Sequence, residues 1–362
     1  MDYIKYKHKY KDQVIDFLSE HLGLGKKKRR EKFEWRYVSN PYTESPLVYL
    51  AIEDDKIVGI RGYVVQKYAL KDKKYFFAIP TSTLVHPKYR RQGIFTNLTN
   101  FASDNIRNRD EIDLFMSLSS NEKSSSGNIK AGYEPIGRRK KSYYLSFINS
   151  LKSNALEKSD EELPLEFFNK EKSFKVTDQL KPSEISELMN TYSNEEKLMH
   201  VIDSEFYEWK FGESPYESFF ICCYEGTDLR GYIGLEKRSL SLYSFHKFDF
   251  YMIKEFGYLE ESVLEGMLKI LKNNLSISAI MAYMFTRRDE EISIFEKNGF
   301  SADKISLKLL HKIFPTGRIL DSHLPGALIK PVSEEFNESD LTVEGKDLTD
   351  PKNWSLFHID VN

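Results

Sequence analysis

Apolar residues along this chain recur in two periods. Over residues 10–22, Val14, Phe17, Leu18 and Leu22 fall on one face of a helix, and over 94–107 Phe95, Leu98, Phe101 and Ala102 do the same. A third stripe of Leu259, Val263, Met267 and Ile270 predicts a helix over 259–273. Short apolar runs lie between these stripes. Two of them, from Leu47 and up to Tyr63, flank an Asp54-Asp55-Lys56 turn and predict a β-hairpin. Others run over Tyr75–Leu84, Asp113–Ser119 and 141–147. Helix, hairpin, strand, helix, strand, short helix, strand is the order of an α/β protein with a central mixed sheet flanked by helices.

The pattern then repeats. Residues 33–42 read Phe-Glu-Trp-Arg-Tyr-Val-Ser-Asn-Pro-Tyr, and residues 206–216 read Phe-Tyr-Glu-Trp-Lys-Phe-Gly-Glu-Ser-Pro-Tyr. Trp35 aligns with Trp209 and Tyr42 with Tyr216, each 174 positions on. A second hairpin pattern follows the second copy, from Phe219 to Gly234, and Ala131-Gly132-Tyr133 has a counterpart in Asn298-Gly299-Phe300. Three matches in the same order identify a duplication. The expected division is a first domain over 1–150, a polar linker over 151–172, a second domain over 173–312, and a tail over 313–362 packing on the body.

Composition narrows the function. A chain of 362 residues exceeds the size one hydrophobic core serves, which agrees with two domains. Formal net charge is −2, from 53 basic and 55 acidic side chains, so a nucleic-acid or anionic-membrane partner is not expected. The Lys26-Lys-Lys-Arg-Arg30 run is short, lacks interleaved aromatics, and reads as a solvated loop. Cys222 and Cys223 are adjacent, without disulfide or metal-ligand spacing, and read as strand packing residues, so no metal is expected. The start Met1-Asp-Tyr-Ile-Lys is too polar for a secretory leader, and no run approaches the ~18 apolar residues of a membrane span, so a cytoplasmic location is expected.

Chemistry concentrates between Thr81 and Asn100. The run is a strand to Val85, a basic loop containing Gly93, and an amphipathic helix. A loop entering a helix presents unpaired N–H groups, the helix dipole adds positive character, and Arg90 and Arg91 add full charges. Such a loop suits a phosphate or diphosphate, and Gly93 lets the backbone approach it.

Here the chain resembles the GNAT superfamily of acyl-CoA-dependent N-acyltransferases. Their [Arg/Gln]-x-x-Gly-x-[Gly/Ala] signature corresponds to Arg90-Arg91-Gln92-Gly93-Ile94-Phe95, matching at Arg90 and Gly93 and departing at Phe95. With Glu34-Trp35 and Val85-His86-Pro87, the chain looks like a bacterial tandem-GNAT type, one GNAT-like domain following another. The resemblance implies acetyl-CoA as acyl donor and an amine-bearing small molecule or peptide as acceptor. It implies pantetheine pairing along the backbone of Leu84 and Val85, and a diphosphate held at Arg90, Arg91, Gln92, Gly93, Ile94, Phe95 and Thr96. Asn121 sits where family members contact the coenzyme. Many members carry a Tyr acid four residues before the Gly of the closing Gly-aromatic pair, but that position is Asn128 here. Tyr133, Glu34, Glu53 and His86 are the candidates for acid or base, and none is assigned. The second copy has no Arg-x-x-Gly loop, and Glu255, Glu260 and Glu261 would repel phosphate. It is expected to wall the acceptor cleft. Two other function classes fit the same residues: a non-catalytic acyl-CoA-binding module, and an aminoacyl-type transferase of similar doubled architecture.

Overall fold

The computed structural model describes residues 1–22, 25–107, 111–117, 122–136, 141–147, 165–169, 171–179, 181–191, 196–242, 246–273, 279–285, 289–300, 327–332 and 341–355. The first half comprises β1 (Asp2–Lys5), α1 (Lys11–Leu22), α2 (Lys26–Phe33), β2 (Leu47–Glu53), β3 (Lys56–Leu70), β4 (Lys73–Pro80), β5 (Leu84–Val85) and α3 (Ile94–Arg107). It continues with β6 (Leu114–Ser117), α4 (Glu122–Lys130), β7 (Glu134–Ile136) and β8 (Lys141–Phe147). The second half opens with β9 (Leu165–Asn169), β10 (Lys172–Thr177), α5 (Pro182–Thr191), β11 (Leu198–His200), α6 (Ser204–Tyr207) and β12 (Ser218–Glu225). Then come β13 (Asp228–Leu242), β14 (His246–Tyr258), α7 (Glu261–Asn273), β15 (Ala279–Phe285) and α8 (Asp289–Lys297). The C-terminal region holds β16 (Ala327–Pro331), the small hairpin β17 (Thr342–Val343) and β18 (Lys346–Asp347), and β19 (Trp354–Ser355).

These strands build two mixed sheets. The first runs β1-β2-β3-β4-β6-β16-β7, with β5 and β11 also on β3 and β19 on β11; the second runs β9-β10-β12-β13-β14-β15-β8. The two orders correspond strand for strand from β1 and β10 inwards, as a duplication requires. The correspondence exposes an exchange. In the first sheet the strand beside β6 is β16, from the C-terminal region, with Leu328 opposite Ser117 on one side and Pro135 on the other. At the matching place in the second sheet, β15 pairs with β8 of the first half, from Ala279 opposite Phe147 to Phe285 opposite Lys141.

The expected boundary at residue 150 therefore does not separate the sheets. The strand over 141–147, expected to close the first sheet, crosses to the second, and the tail supplies a central strand rather than an outer covering. The expected linker also ends earlier, because Leu165–Asn169 is already a strand paired with β10. Residues 151–164 and 170 of that linker lie outside the described residues. The physical reason for β16 is visible in β6: Leu114, Phe115 and Met116 are wholly buried, so an open edge there would strand backbone groups away from water. A local pattern read along the chain carries no information about which copy closes such an edge.

The copies meet at their shared Glu-Trp motif. In each copy the helical turn there is widened by one residue: Ser39 N–H donates to Glu34 O, and Glu213 N–H donates to Glu208 O, both at 2.9 Å and both five residues back. This aims the two indoles at one another. Trp35 Nε1 donates to Trp209 O and Trp209 Nε1 donates to Trp35 O, each at 2.7 Å, and the rings stack with centroids 5.6 Å apart. Beside this pair Lys67 reaches Asp203 at 2.7 Å and Tyr42 Oη donates to the same carboxylate at 3.0 Å. Trp35→Ala is expected to lower the unfolding free energy by about 3–5 kcal/mol, by opening a cavity and orphaning the Trp209 carbonyl. The double variant with Trp209→Ala should cost less than the two single losses together, measured by denaturant unfolding, because each removal strands part of the other.

Two local expectations change. The Lys26–Arg30 run, expected as a loop, is the helix α2: Arg29 is buried, its Nη2 donating to Leu22 O at 3.3 Å, and Arg30 pairs with Asp12 at 2.6 Å. In α3 the buried face is Ile94, Leu98, Ala102 and Ile106, rotated from the predicted stripe, so that Phe95 and Phe101 are only partly covered. Cys222 and Cys223 are buried free thiols in β12, as packing residues would be. Among the described residues no helix is long and apolar enough to cross a membrane.

Candidate functional site

The site forms where one strand is interrupted. β4 ends at Pro80, residues 81–83 leave the sheet, and β5 rejoins β3 with Leu84 opposite Ile60 and Val85 opposite Gly59. The gap is held open by Tyr37 from the widened turn. Its hydroxyl shares a 2.6 Å hydrogen bond with Thr81 Oγ1 and accepts from the Ser82 N–H at 3.2 Å. In the second copy Phe211, which lacks that hydroxyl, occupies the corresponding turn, and β14 stays paired with β13 as far as Tyr258 through a single register shift at Gly234–Leu235. One edge of β5 is thus committed to β3, and both its residues also line a cavity of about 750 Å³.

The loop after β5 curls into the same cavity. His86 Nδ1 accepts from Lys88 N–H at 3.2 Å, capping a short turn over Pro87–Tyr89, and Arg90 Nε donates to Val85 O at 3.2 Å. Arg91 and Gly93 both take left-handed backbone conformations, with φ of 66° and 76°, which folds residues 90–93 into a concave turn. A Cβ at Gly93 would meet nothing closer than Asn97 Nδ2 at 3.9 Å, so glycine is favoured there by conformation rather than by space. The first intrahelical bond of α3 is Asn97 N–H to Gly93 O at 3.0 Å. The amides of Ile94, Phe95 and Thr96 precede it and have no helical acceptor, which leaves three donors and the positive end of the dipole at the cavity wall.

Phe95 stands where a small residue was expected, and α4 accommodates it. The ring lies so close to Gly127 that a Cβ there would come within 2.5 Å of it. The Arg61 guanidinium lies 5.1 Å from the centre of the same ring. Arg61 is fully buried, donating from Nε to Tyr63 Oη at 2.5 Å and from Nη2 to Asn128 Oδ1 at 3.0 Å and to Tyr133 Oη at 3.5 Å. Burial works against its charge, but the Tyr63 and Tyr133 oxygens more than offset this, and the guanidinium is held more firmly protonated than usual. Asn128 Nδ2 donates to Ser117 Oγ at 2.8 Å, so both ends of the Asn128 amide are engaged below the cavity. Tyr133 is buried in the same cluster, and desolvation pushes its phenol upward.

The cavity gathers Leu84, Val85, Arg90, Arg91, Gly93, Ile94, Phe95 and Thr96. Gln92 sits exposed on the loop and does not line it, and Asn121 lies outside the described residues. The sequence reading missed Thr83 and Tyr89 from the loop and Ser126, Gly127 and Lys130 from α4. The residues of α4 offered little signal because Glu122–Lys130 carries hardly any apolar stripe to fix which side faces inward. Of the acid and base candidates, Glu34 pairs with Lys11, Glu53 pairs with the chain's N-terminal ammonium at 2.8 Å, and neither lines the cavity.

The equivalent helix start in the second copy carries an acidic side chain, Glu260. Val263 and Leu264 N–H donate to Glu260 O at 3.0 and 3.4 Å. The Glu260 carboxylate is held by Lys172 at 2.7 Å, Arg230 at 3.2 Å and Ser262 at 3.2 Å. Those donors, Lys172 foremost, lower its pKa. An anion arriving there would meet a carboxylate already in possession of the basic groups. Among the described residues there is no cluster of three side chains able to hold a metal ion.

The profile of the acetyltransferase (GNAT) domain family matches residues 2–122. No curated protein sequence matches the chain. Among solved structures, a GCN5-related N-acetyltransferase from Anabaena variabilis is similar with a TM-score of 0.57 at 12% identity, covering 92% of this chain and 73% of that one. A tandem GNAT protein from the clavulanic acid biosynthesis pathway has a TM-score of 0.53 at 11% identity, covering 92% and 98%. Saccharomyces cerevisiae N-myristoyltransferase with bound myristoyl-CoA gives 0.55 at 12% identity, covering 84% and 80%. At these identities the structural likeness concerns the fold.

Proposed function

We propose that this chain, whose residues 2–122 match the GNAT acetyltransferase domain family and whose fold is similar to that of a tandem GNAT protein, transfers an acetyl group from acetyl-CoA to a primary amine by direct attack. Acyl transfer of the GNAT type is the chemistry of the family; the donor, the acceptor class and the route are our reading. One observation carries it: the unpaired helix-start amides of 94–96, the Arg90 and Arg91 side chains and both residues of β5 line one cavity of about 750 Å³. A diphosphate at the helix start would direct the pantetheine arm along β5, where it can bond as an added strand. Val85 O would then serve both the arm and Arg90 Nε, as a carbonyl with two lone pairs can. Arg61, which the register sets level with Thr83, packs with Tyr63, Phe115 and Tyr133 in a fully buried cluster, and we take a short acyl group as the one that suits it. The acceptor is an amine-bearing small molecule or peptide, and we place the protein in the cytoplasm.

In this reading the second copy does not bind coenzyme, because the Glu260 carboxylate already engages the basic groups beside its helix start. Calorimetric titration with acetyl-CoA is expected to give one site per chain; two equivalent sites would remove this role for the second copy. A second reading, a non-catalytic acyl-CoA-binding module, is favoured by one feature: both ends of the Asn128 amide are engaged and no hydroxyl stands in its place. Thiol release from acetyl-CoA that depends on added amine supports the transferase. Tight CoA binding without turnover across amino sugars, small amines and peptides supports the module.

A further inference from the structure

Arg61 is a buried cation whose hydrogen-bond partners among the described residues are all neutral. They are Tyr63 on its own strand, Asn128 on α4 and Tyr133 just before β7, with the ring of Phe95 on α3 covering the guanidinium from the cavity side. Ser117 on β6 fixes the far end of Asn128. A charge held out of water with no counter-ion among the described residues is costly, and a site that keeps one gains from it when an anion forms nearby. The register gives its depth. Ile60 pairs with Leu84, so Arg61 stands level with Thr83, the cavity residue farthest back along the chain from the helix start. A coenzyme with its diphosphate at residues 93–96 and its arm along β5 brings its sulfur to that level.

We propose that Arg61 is a positioning residue that stabilises the thiolate of coenzyme A from beneath the cavity and so supports sulfur departure where Asn128 supplies no acid. The inference rests on the coenzyme site proposed above. In the step it assists, the amine nitrogen bonds to the thioester carbonyl carbon and the C–S bond breaks with its electron pair left on sulfur. The proton lost by the nitrogen returns to sulfur through solvent. Arg90, Arg91 and Lys130 line the same cavity and act on a thiolate in the same direction, so the test must separate them from Arg61.

The test uses the full chain and free CoA thiol. Calorimetry measures CoA binding, and ultraviolet thiolate absorbance follows the bound thiol as pH is raised. The bound thiol is expected to ionise about one pH unit or more below free CoA, the size of shift that a single charge in a partly desolvated site produces. Arg61→Lys should keep most of that shift, Arg61→Met should lose it with CoA still bound, and Lys130→Met should keep it. Should Arg61→Met fail to fold, the wild-type measurement with the Lys pair of variants decides. CoA bound with an unshifted thiol overturns this inference alone, as does a shift that survives Arg61→Met or disappears with Lys130→Met. No CoA binding to the wild-type protein overturns the coenzyme reading, and this inference with it.

Discussion

Gly93→Asp is expected to abolish acyl-CoA binding in a chain that still folds. Two effects add. The φ of 76° at this position costs a non-glycine residue about 1–2 kcal/mol, less for Asp than for most. The larger effect is electrostatic: a carboxylate would enter the turn whose amides and arginines attract a diphosphate, replacing attraction with repulsion at close range. A loss of about 100-fold or more in affinity, roughly 3 kcal/mol, is expected. Gly93→Asn separates the causes, since Asn has nearly the shape of Asp, tolerates left-handed backbone and carries no charge. It should cost no more than the strain, about 5- to 30-fold. Calorimetry with acetyl-CoA, with circular dichroism as the check on folding, reads both variants. Unchanged affinity in Gly93→Asp would move the diphosphate away from this turn.

The largest effect on stability is expected from ending the chain at residue 326. The deletion removes β16 from between β6 and β7, where Ala327, Leu328 and Ile329 are wholly buried. It also removes Trp354, which is buried, packs on Phe77 with ring centroids 6.1 Å apart and donates to Leu348 O at 2.8 Å. Each of the large side chains lost contributes about 1.5–3 kcal/mol by burial. Their sum rivals the total stability of an ordinary domain, about 5–15 kcal/mol. Lys330 disappears too, and with it the 2.8 Å bond from its Nζ to Ala131 O at the end of α4, the helix that forms one wall of the cavity. The truncated chain should lose cooperative denaturant unfolding and acetyl-CoA binding together. Cooperative unfolding at the wild-type midpoint would show that the first sheet closes without β16.

What the sequence disclosed and what it withheld divide along physical lines. The strand-loop-helix around Gly93 was legible because each part is local: an apolar run, a glycine in a basic turn, and a 3.6-residue stripe. The duplication was legible because Trp35 and Trp209 keep their neighbours. The face of α3 was misread by one residue, because Phe95 and Ile94 are both apolar and only the neighbours, Gly59 under Ile94 and Gly127 beside Phe95, decide between them. The Arg61 cluster could not be anticipated, since Arg61, Ser117, Asn128 and Tyr133 come from separate elements and none carries a periodic signal. The crossing of β8 and β16 was hidden for a different reason: a strand's pattern shows that it will be buried, not beside which partner.

The mutual indole bonds have a bearing on ancestry. When residue i of one unit meets residue j of another and j meets i in return, the arrangement is that of an isologous dimer about a two-fold axis. Here both partners belong to a single polypeptide, and the traded strands obey the same reciprocity. A pair of identical subunits, swapped and then joined end to end by gene fusion, would leave this record. Once fused, one partner could surrender its ligand while its twin retained the pocket, a specialisation that two products of one gene can never reach.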